Sequence, residues 1–183
     1  MLENTPLLGH FRTKDITIEA YITILKKFYT FFSQLEKQLE HTGIEHVLVD
    51  YIDRRKAALL IGDLKFLGQK IQMTNANVVP KISSLSESFG ALYVMEGSTL
   101  GGKFISAVLQ EKLNIGPESG GSFFYGYGMD TSTKWKIFCE SLTTYNQKFQ
   151  EDDQIISTAC ATFLQFRTWL ENINSQDTDL SFK

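Results

Sequence analysis

Apolar positions along this chain recur at intervals of three and four instead of alternating, the pattern of amphipathic helices. From Thr17, a residue suited to cap a helix start, Tyr21, Ile24, Leu25, Phe28, Phe32, Leu35 and Leu39 fall on one face. A second helix is predicted over residues 53–67, turning Ala57, Leu60, Ile61, Leu64 and Leu67 inward. A long one spans residues 82–113. The next begins near Thr131 and buries Trp135, Phe138, Leu142, Tyr145 and Phe149. The last runs over residues 152–172 and presents Ile155, Ala159, Phe163, Phe166 and Leu170. Pro6, Pro80 and Pro117 each stand where a helix would start or stop. Residues 75–80 read as a break before the long helix, 116–121 as a Gly/Ser/Pro loop, and 175–183 as a polar tail. The pattern predicts an all-α fold, a helical bundle in which residues 1–183 form a single domain.

Local rules fail in one place. The helical spacing continues on both sides of Gly97, Gly101 and Gly102, yet these glycines sit inside the predicted helix. Each interior glycine costs about 1 kcal/mol relative to alanine, about 3 kcal/mol together, against a native stability of roughly 5–15 kcal/mol. Spacing leaves three readings open. Gly97 and Gly101 form a small-residue face against a neighbouring helix; or the helix ends at Gly97 and restarts after Gly102; or the glycines kink it so that bare backbone lies against a flat ligand. In the last reading Ser98 and Thr99 place hydroxyls beside that ligand, able to hold a water.

Composition narrows the function classes. The 183 residues suit one domain with a sizeable core, 43% are apolar and 21% charged. The net charge of −3 is mixed in sign with no basic cluster, so a nucleic-acid surface is not expected. No apolar run is long enough for a membrane span and nothing reads as a signal peptide, which predicts a cytoplasmic protein. Cys139 and Cys160 lie in helical patterns outside any Cys/His cluster and read as small buried hydrophobes. Aromatics reach 13%, an excess that suits a large apolar pocket and a plain aromatic core alike.

The stretch Leu92-Tyr-Val-Met-Glu-Gly-Ser-Thr-Leu-Gly-Gly102 resembles the distal-helix signature of bacterial heme oxygenases, particularly the bacteriophytochrome-associated group. Residues 54–68, Arg-Arg-Lys-Ala-Ala-Leu-Leu-Ile-Gly-Asp-Leu-Lys-Phe-Leu-Gly, resemble that family's third helix, and residues 20–36 its second. The resemblance extends from Leu2 to about Asn172. It implies a heme oxygenase-like helical fold holding haem between a proximal and a distal helix, with haem as both substrate and cofactor. The implied reaction cleaves the ring with O2 and external electrons to biliverdin, CO and ferrous iron, the electrons coming from a ferredoxin or flavoprotein reductase. Catalytic roles then fall to Gly97, Ser98 and Gly101. The two glycines let the distal backbone press on the macrocycle, and Ser98, where several family members carry Asp, helps hold a proton-delivering water network. Tyr93, Gly97, Gly101, Gly102, Phe163 and Phe166 are the implied haem contacts, Tyr93 reaching the same network and the two phenylalanines packing a ring edge.

The family's proximal ligand is a histidine a few residues before an acidic position that matches Glu3, and on this count it precedes Met1. The resemblance therefore assigns no metal ligand within the chain. His10 is the nearest histidine but, following Gly9, is placed beyond the first helix and is a poor substitute; His41 and His46 read as solvated loop residues. On this ground the alternative reading is a non-catalytic haem-binding protein on the same scaffold. Lys26, Lys27 and Lys103 are candidate partners for the haem carboxylates, with none favoured.

Overall fold

The computed structural model describes residues 5–54, 56–71 and 77–172. These are helical apart from their connections: α1 Pro6–Thr13, α2 Ile18–Leu39, α3 Ala58–Phe66, α4 Leu85–Gly97, α5 Gly102–Leu113, α6 Ser122–Tyr125, α7 Thr131–Phe149 and α8 Asp152–Glu171. The polar tail, Glu3 of the proximal motif, Arg55 and residues 75 and 76 of the predicted break lie outside the described residues.

Start signals explain several boundaries. Pro6 opens α1 with its fixed φ, and the Thr5 hydroxyl accepts from the Leu8 N–H at 3.4 Å. Thr17 caps α2, its side chain accepting from Ala20 N at 3.2 Å, as the sequence predicts. Ser84 and Glu87 form a reciprocal capping box, so α4 begins at Leu85 and not at residue 82. The α3 helix is also shorter than expected. Arg54 is extended at ψ 154°, and the Ala57 N–H at the head of α3 donates to Glu36 Oε1 of α2 at 2.7 Å.

Two packing devices organise the rest. The helices α4 and α8 pack closely side by side. A Cβ on Gly90 would stand 2.5 Å from the Ile155 carbonyl oxygen and 2.8 Å from Thr158 Cβ, so only glycine permits this approach. Around α2, Phe28, Phe32, Phe123, Phe124 and Phe166 form an aromatic cluster, with ring centroids 4.9 Å apart for Phe28 and Phe166 and 5.3 Å for Phe32 and Phe123. Each such pair contributes about 0.5–1.5 kcal/mol beyond the burial of its area.

Lys27 is buried at the end of α8. Its Nζ donates to the Trp169 and Asn172 carbonyls at 3.2 and 2.8 Å and lies 4.0 Å from the Trp169 ring centroid. The Trp169 indole N–H returns a bond to the Lys27 carbonyl at 2.9 Å. A cation here satisfies carbonyls that the helix itself leaves unpaired and offsets its dipole. That commitment removes Lys27 from the pool of carboxylate partners.

Some expected core residues face outward. Cys160 is exposed on α8 with Ile156 and Leu164 close by in helical spacing, and Phe149 is half exposed at the end of α7. These positions continue the apolar period past the faces that neighbouring helices cover.

Candidate functional site: the glycine break between α4 and α5

The predicted long helix is interrupted. Helix α4 ends at Gly97, a 3-10 turn covers Ser98–Gly101, and α5 restarts at Gly102. Backbone angles stay right-handed throughout, −58° and −30° at Gly97, −81° and −13° at Gly101, so no glycine here is needed for positive φ. Any demand for glycine here must come from what stands opposite each position.

The space opposite differs from one glycine to the next. A Cβ on Gly102 would collide with the Phe124 carbonyl oxygen, so this glycine lets α5 rest on α6. A Cβ on Gly97 would meet the Trp135 ring of α7 at 3.6 Å, ordinary contact that alanine could make. Beside Gly101 there is nothing within 4 Å. Of the three open readings, the helix break is the observed one, and the small-residue packing face accounts for Gly102 in place of Gly97 and Gly101.

Large apolar side chains flank the open position. Tyr93, Leu100 and Phe104 are 48%, 51% and 52% exposed. At 100° per residue, positions 93, 97, 100, 101 and 104 fall on one side of the α4–α5 axis. Helices rarely present such a strip to water without a ligand or partner. Tyr93 leans on Trp135 at 5.4 Å between centroids.

The hydroxyls beside the break are already engaged. Ser98 Oγ donates to the Met95 carbonyl at 2.6 Å and Thr99 Oγ1 to the Glu96 carbonyl at 2.6 Å. Both tie the start of the 3-10 turn back to the last turn of α4. Ser98 is half-buried and Thr99 buried.

Glu96, at the end of α4, is buried in a charged network. Its carboxylate accepts from Arg54 Nη1 at 2.7 Å and from the Tyr127 hydroxyl at 2.9 Å. Arg54 continues to Asp50 Oδ1 at 2.8 Å and to the Lys134 carbonyl at 3.1 Å, and Lys134 Nζ reaches Asp50 Oδ2 at 3.0 Å. Burial alone would push the Asp50 carboxyl up, but the Lys134 hydrogen bond and the Arg54 charge together hold it below its usual value. Nothing in the residue spacing announces this network, because its members come from four separate segments.

The aromatic run Phe123-Phe-Tyr-Gly-Tyr127 contains most of α6, whose start is held by a buried carboxylate. Asp63 accepts from Ser122 N at 2.9 Å, Ser122 Oγ at 2.7 Å and Phe123 N at 2.9 Å. Asp63 sits inside the third-helix motif, where only its presence in an apolar helix signalled a role.

The other expected contacts are dispersed. Phe166 lies within the aromatic cluster at 1% exposure, enclosed by Phe28, Phe31 and Phe32, and Phe163 is partly exposed on α8. His10 lies inside α1, not beyond it, because the Pro6 start carries the helix through Gly9 to Thr13. Its ring Nδ1 is 2.9 Å from Asp15 Oδ1 at the surface. Lys26 Nζ donates to Gln69 Oε1 at 3.1 Å. Among the described residues no group of three His, Cys, Asp or Glu is arranged to hold a metal ion, and no helix is long and apolar enough to cross a membrane.

With this geometry in place, comparison with known proteins is specific. A family profile described as heme oxygenase matches residues 1–172. A "Heme oxygenase" of Xanthomonas campestris pv. campestris (strain 8004) is 33% identical over 97 residues, 53% of this chain and 57% of that protein. A crystal structure of heme oxygenase from Neisseria meningitidis, solved with NO and CO bound, superposes with a TM-score of 0.74 at 22% identity, over 91% of this chain and 80% of that one. The chain belongs to the heme oxygenase family and has its all-helical fold. The segment it shares with the Xanthomonas relative spans little more than half of that protein's length.

Proposed function

We propose that the chain binds haem as substrate on the strip around Gly101 and cleaves it oxidatively to biliverdin, CO and ferrous iron. The carrying observation is the empty space beside Gly101, flanked by exposed Tyr93, Leu100 and Phe104. The open side of Gly101 leaves its main chain accessible to a planar apolar molecule, whose face the flanking rings and leucine would cover.

Bound haem supplies the iron that activates O2 with electrons from an external donor, a ferredoxin or flavoprotein reductase. The chain's own residues do the rest. Gly101 admits the plane to main-chain contact, and Gly97, supported from behind by Trp135, continues that surface. Approach of bare backbone on one side restricts which ring edge stays open, the basis for choosing one bond to cleave. The Ser98 hydroxyl hydrogen is given to Met95, so toward a water network its oxygen acts as acceptor. Phe163 remains a candidate edge contact, whereas Phe166 acts at one remove, through the aromatic cluster. The reading treats residues 1–183 as one cytoplasmic domain, and nothing in the geometry favours a non-catalytic haem carrier over the enzyme.

The test is titration of the purified protein with haem, followed by visible absorbance, then addition of a reductant and O2. A Soret band saturating near one equivalent and later biliverdin bands are expected. Absence of any Soret shift at stoichiometric haem rejects the proposal. Binding without bilin product supports the carrier instead.

A further inference from the structure

The glycine break hangs between two clamps, and both are operated from one segment of the chain. On the N-terminal side, Glu96 immediately precedes Gly97, and its buried carboxylate is gripped by Arg54 at 2.7 Å and Tyr127 at 2.9 Å. On the C-terminal side, Gly102 immediately follows Gly101 and rests on the Phe124 carbonyl. Phe124 belongs to α6, whose first turn is held by the Asp63 carboxylate through three hydrogen bonds of 2.7–2.9 Å. Arg54 and Asp63 stand nine residues apart, one just before α3 and one within it. Between the clamps, the Ser98–Gly101 turn has 3-10 geometry, which marks hinges when it interrupts a longer helix.

We infer that Arg54, Glu96, Tyr127 and Asp63 are positioning residues: they form a brace that fixes where the main chain of residues 97–101 stands, and through it the alignment of the ring plane on the site. The inference rests on the haem reading for its functional half; its mechanical half concerns the protein alone. Two features argue for more than ordinary stabilisation. Arg54 and Glu96 side chains are only 1% and 4% exposed, and a buried ion pair holds a fold no better than apolar residues of similar volume. What such a pair adds is a fixed direction: the guanidinium is planar, with its Nε on Asp50, Nη1 on Glu96 and Nη2 on the Lys134 carbonyl, so Glu96 has one allowed position. Furthermore, the network draws on three other segments, at residues 50–54, 127 and 134: Arg54 and Tyr127 reach Glu96 directly, while Asp50 and the Lys134 carbonyl hold the guanidinium that grips it.

The experiment compares the unmodified chain with the double variant Arg54→Met, Glu96→Met and with the single variant Tyr127→Phe. The first replaces the pair by apolar volume and leaves Asp50 paired with Lys134; the second removes one hydroxyl. Amide hydrogen exchange is read at residues 97–102 without haem. Exchange about tenfold faster in the double variant and about fivefold faster in Tyr127→Phe is expected, while α2 and α8 stay protected. Haem is then added to each protein, and after turnover the bilin isomers are separated. One dominant isomer from the unmodified chain and a mixture from the variants is expected. Unchanged exchange at 97–102 in a folded double variant overturns the brace. If the double variant fails to fold, Tyr127→Phe decides alone by the same readout. Faster exchange with an unchanged isomer pattern overturns the alignment role. Should the unmodified chain bind no haem, the functional reading falls, and the exchange result still judges the brace.

Discussion

Gly102 stands so close to Phe124 that a β-carbon on the glycine would overlap the phenylalanine's carbonyl oxygen, whereas its neighbour Gly101 faces nothing within 4 Å. Two adjacent glycines therefore answer to different demands, one from inside the molecule and one from outside.

Alanine scanning separates them. Gly102→Ala should destabilise the fold by about 1–3 kcal/mol, since the obstacle is backbone and cannot rotate away. Gly101→Ala has open space and a right-handed backbone, so stability should be unchanged or rise by about 0.4–1 kcal/mol. Haem affinity should nevertheless fall in Gly101→Ala and further in Gly101→Leu. Urea denaturation and haem titration of each variant check both halves, and undiminished affinity in Gly101→Leu would misplace the site.

Gly90 provides a contrast remote from the break. A Cβ there would stand 2.5 Å from the Ile155 carbonyl oxygen, 2.8 Å from Thr158 Cβ and 3.0 Å from the Ala159 amide nitrogen. Gly90→Ala should force α4 and α8 apart and lower stability by about 1–3 kcal/mol. The haem titration of the fraction still folded should overlay that of the unmodified chain.

Asp63→Ala would strip the acceptor from Ser122 N and Phe123 N, both in the protein interior or near it. Two donors left without partners correspond to a loss of about 2–4 kcal/mol. Because Phe123 and Phe124 feed the aromatic cluster, near-ultraviolet circular dichroism should weaken together with stability. A loss confined to α6, with the aromatic signal intact, would show that the cluster holds itself.

Acid should loosen the protein through particular carboxylates. For Asp50, burial is outweighed by Lys134 and Arg54; for Glu87, burial is outweighed by the donors of Ser83 and Ser84; both carboxyls titrate below their usual values in the fold. The unfolded chain then takes up protons first as pH falls. Their contribution is present in full above the ordinary carboxylate range, near pH 4–5, and drains away as pH drops through the lowered folded values. Denaturation curves from pH 7 to 2.5 should show a plateau and then a decline, and Glu87→Gln should start lower and decline less.

Local chemistry was legible where it acts over three or four residues. Thr17 and the apolar face of α2 could be read directly, and the conflict between helical spacing and three glycines located the break within a residue. The apolar pattern puts the start of α4 at residue 82, but the Ser84–Glu87 box decides it and moves it to Leu85. The different tasks of Gly97, Gly101 and Gly102 were not legible, since each depends on what stands opposite: a ring of α7, nothing, or a carbonyl of α6. Phe166 followed its helical period correctly but gave no hint that three phenylalanines of α2 would enclose it. Arg54 and Glu96 are 42 positions apart, and no periodicity links residues at that distance.

The seating of Lys27 at the end of α8 has a practical corollary. A primary amine whose protons are spent on two carbonyls and whose flank is covered by an indole is shielded from acylating reagents, whereas solvent-facing lysines such as Lys136 react at once. Under mild labelling with an N-hydroxysuccinimide ester, mass spectrometry should find Lys27 unmodified while α8 stays docked, so its tryptic cleavage site becomes a built-in gauge of how often that helix lifts away from α2.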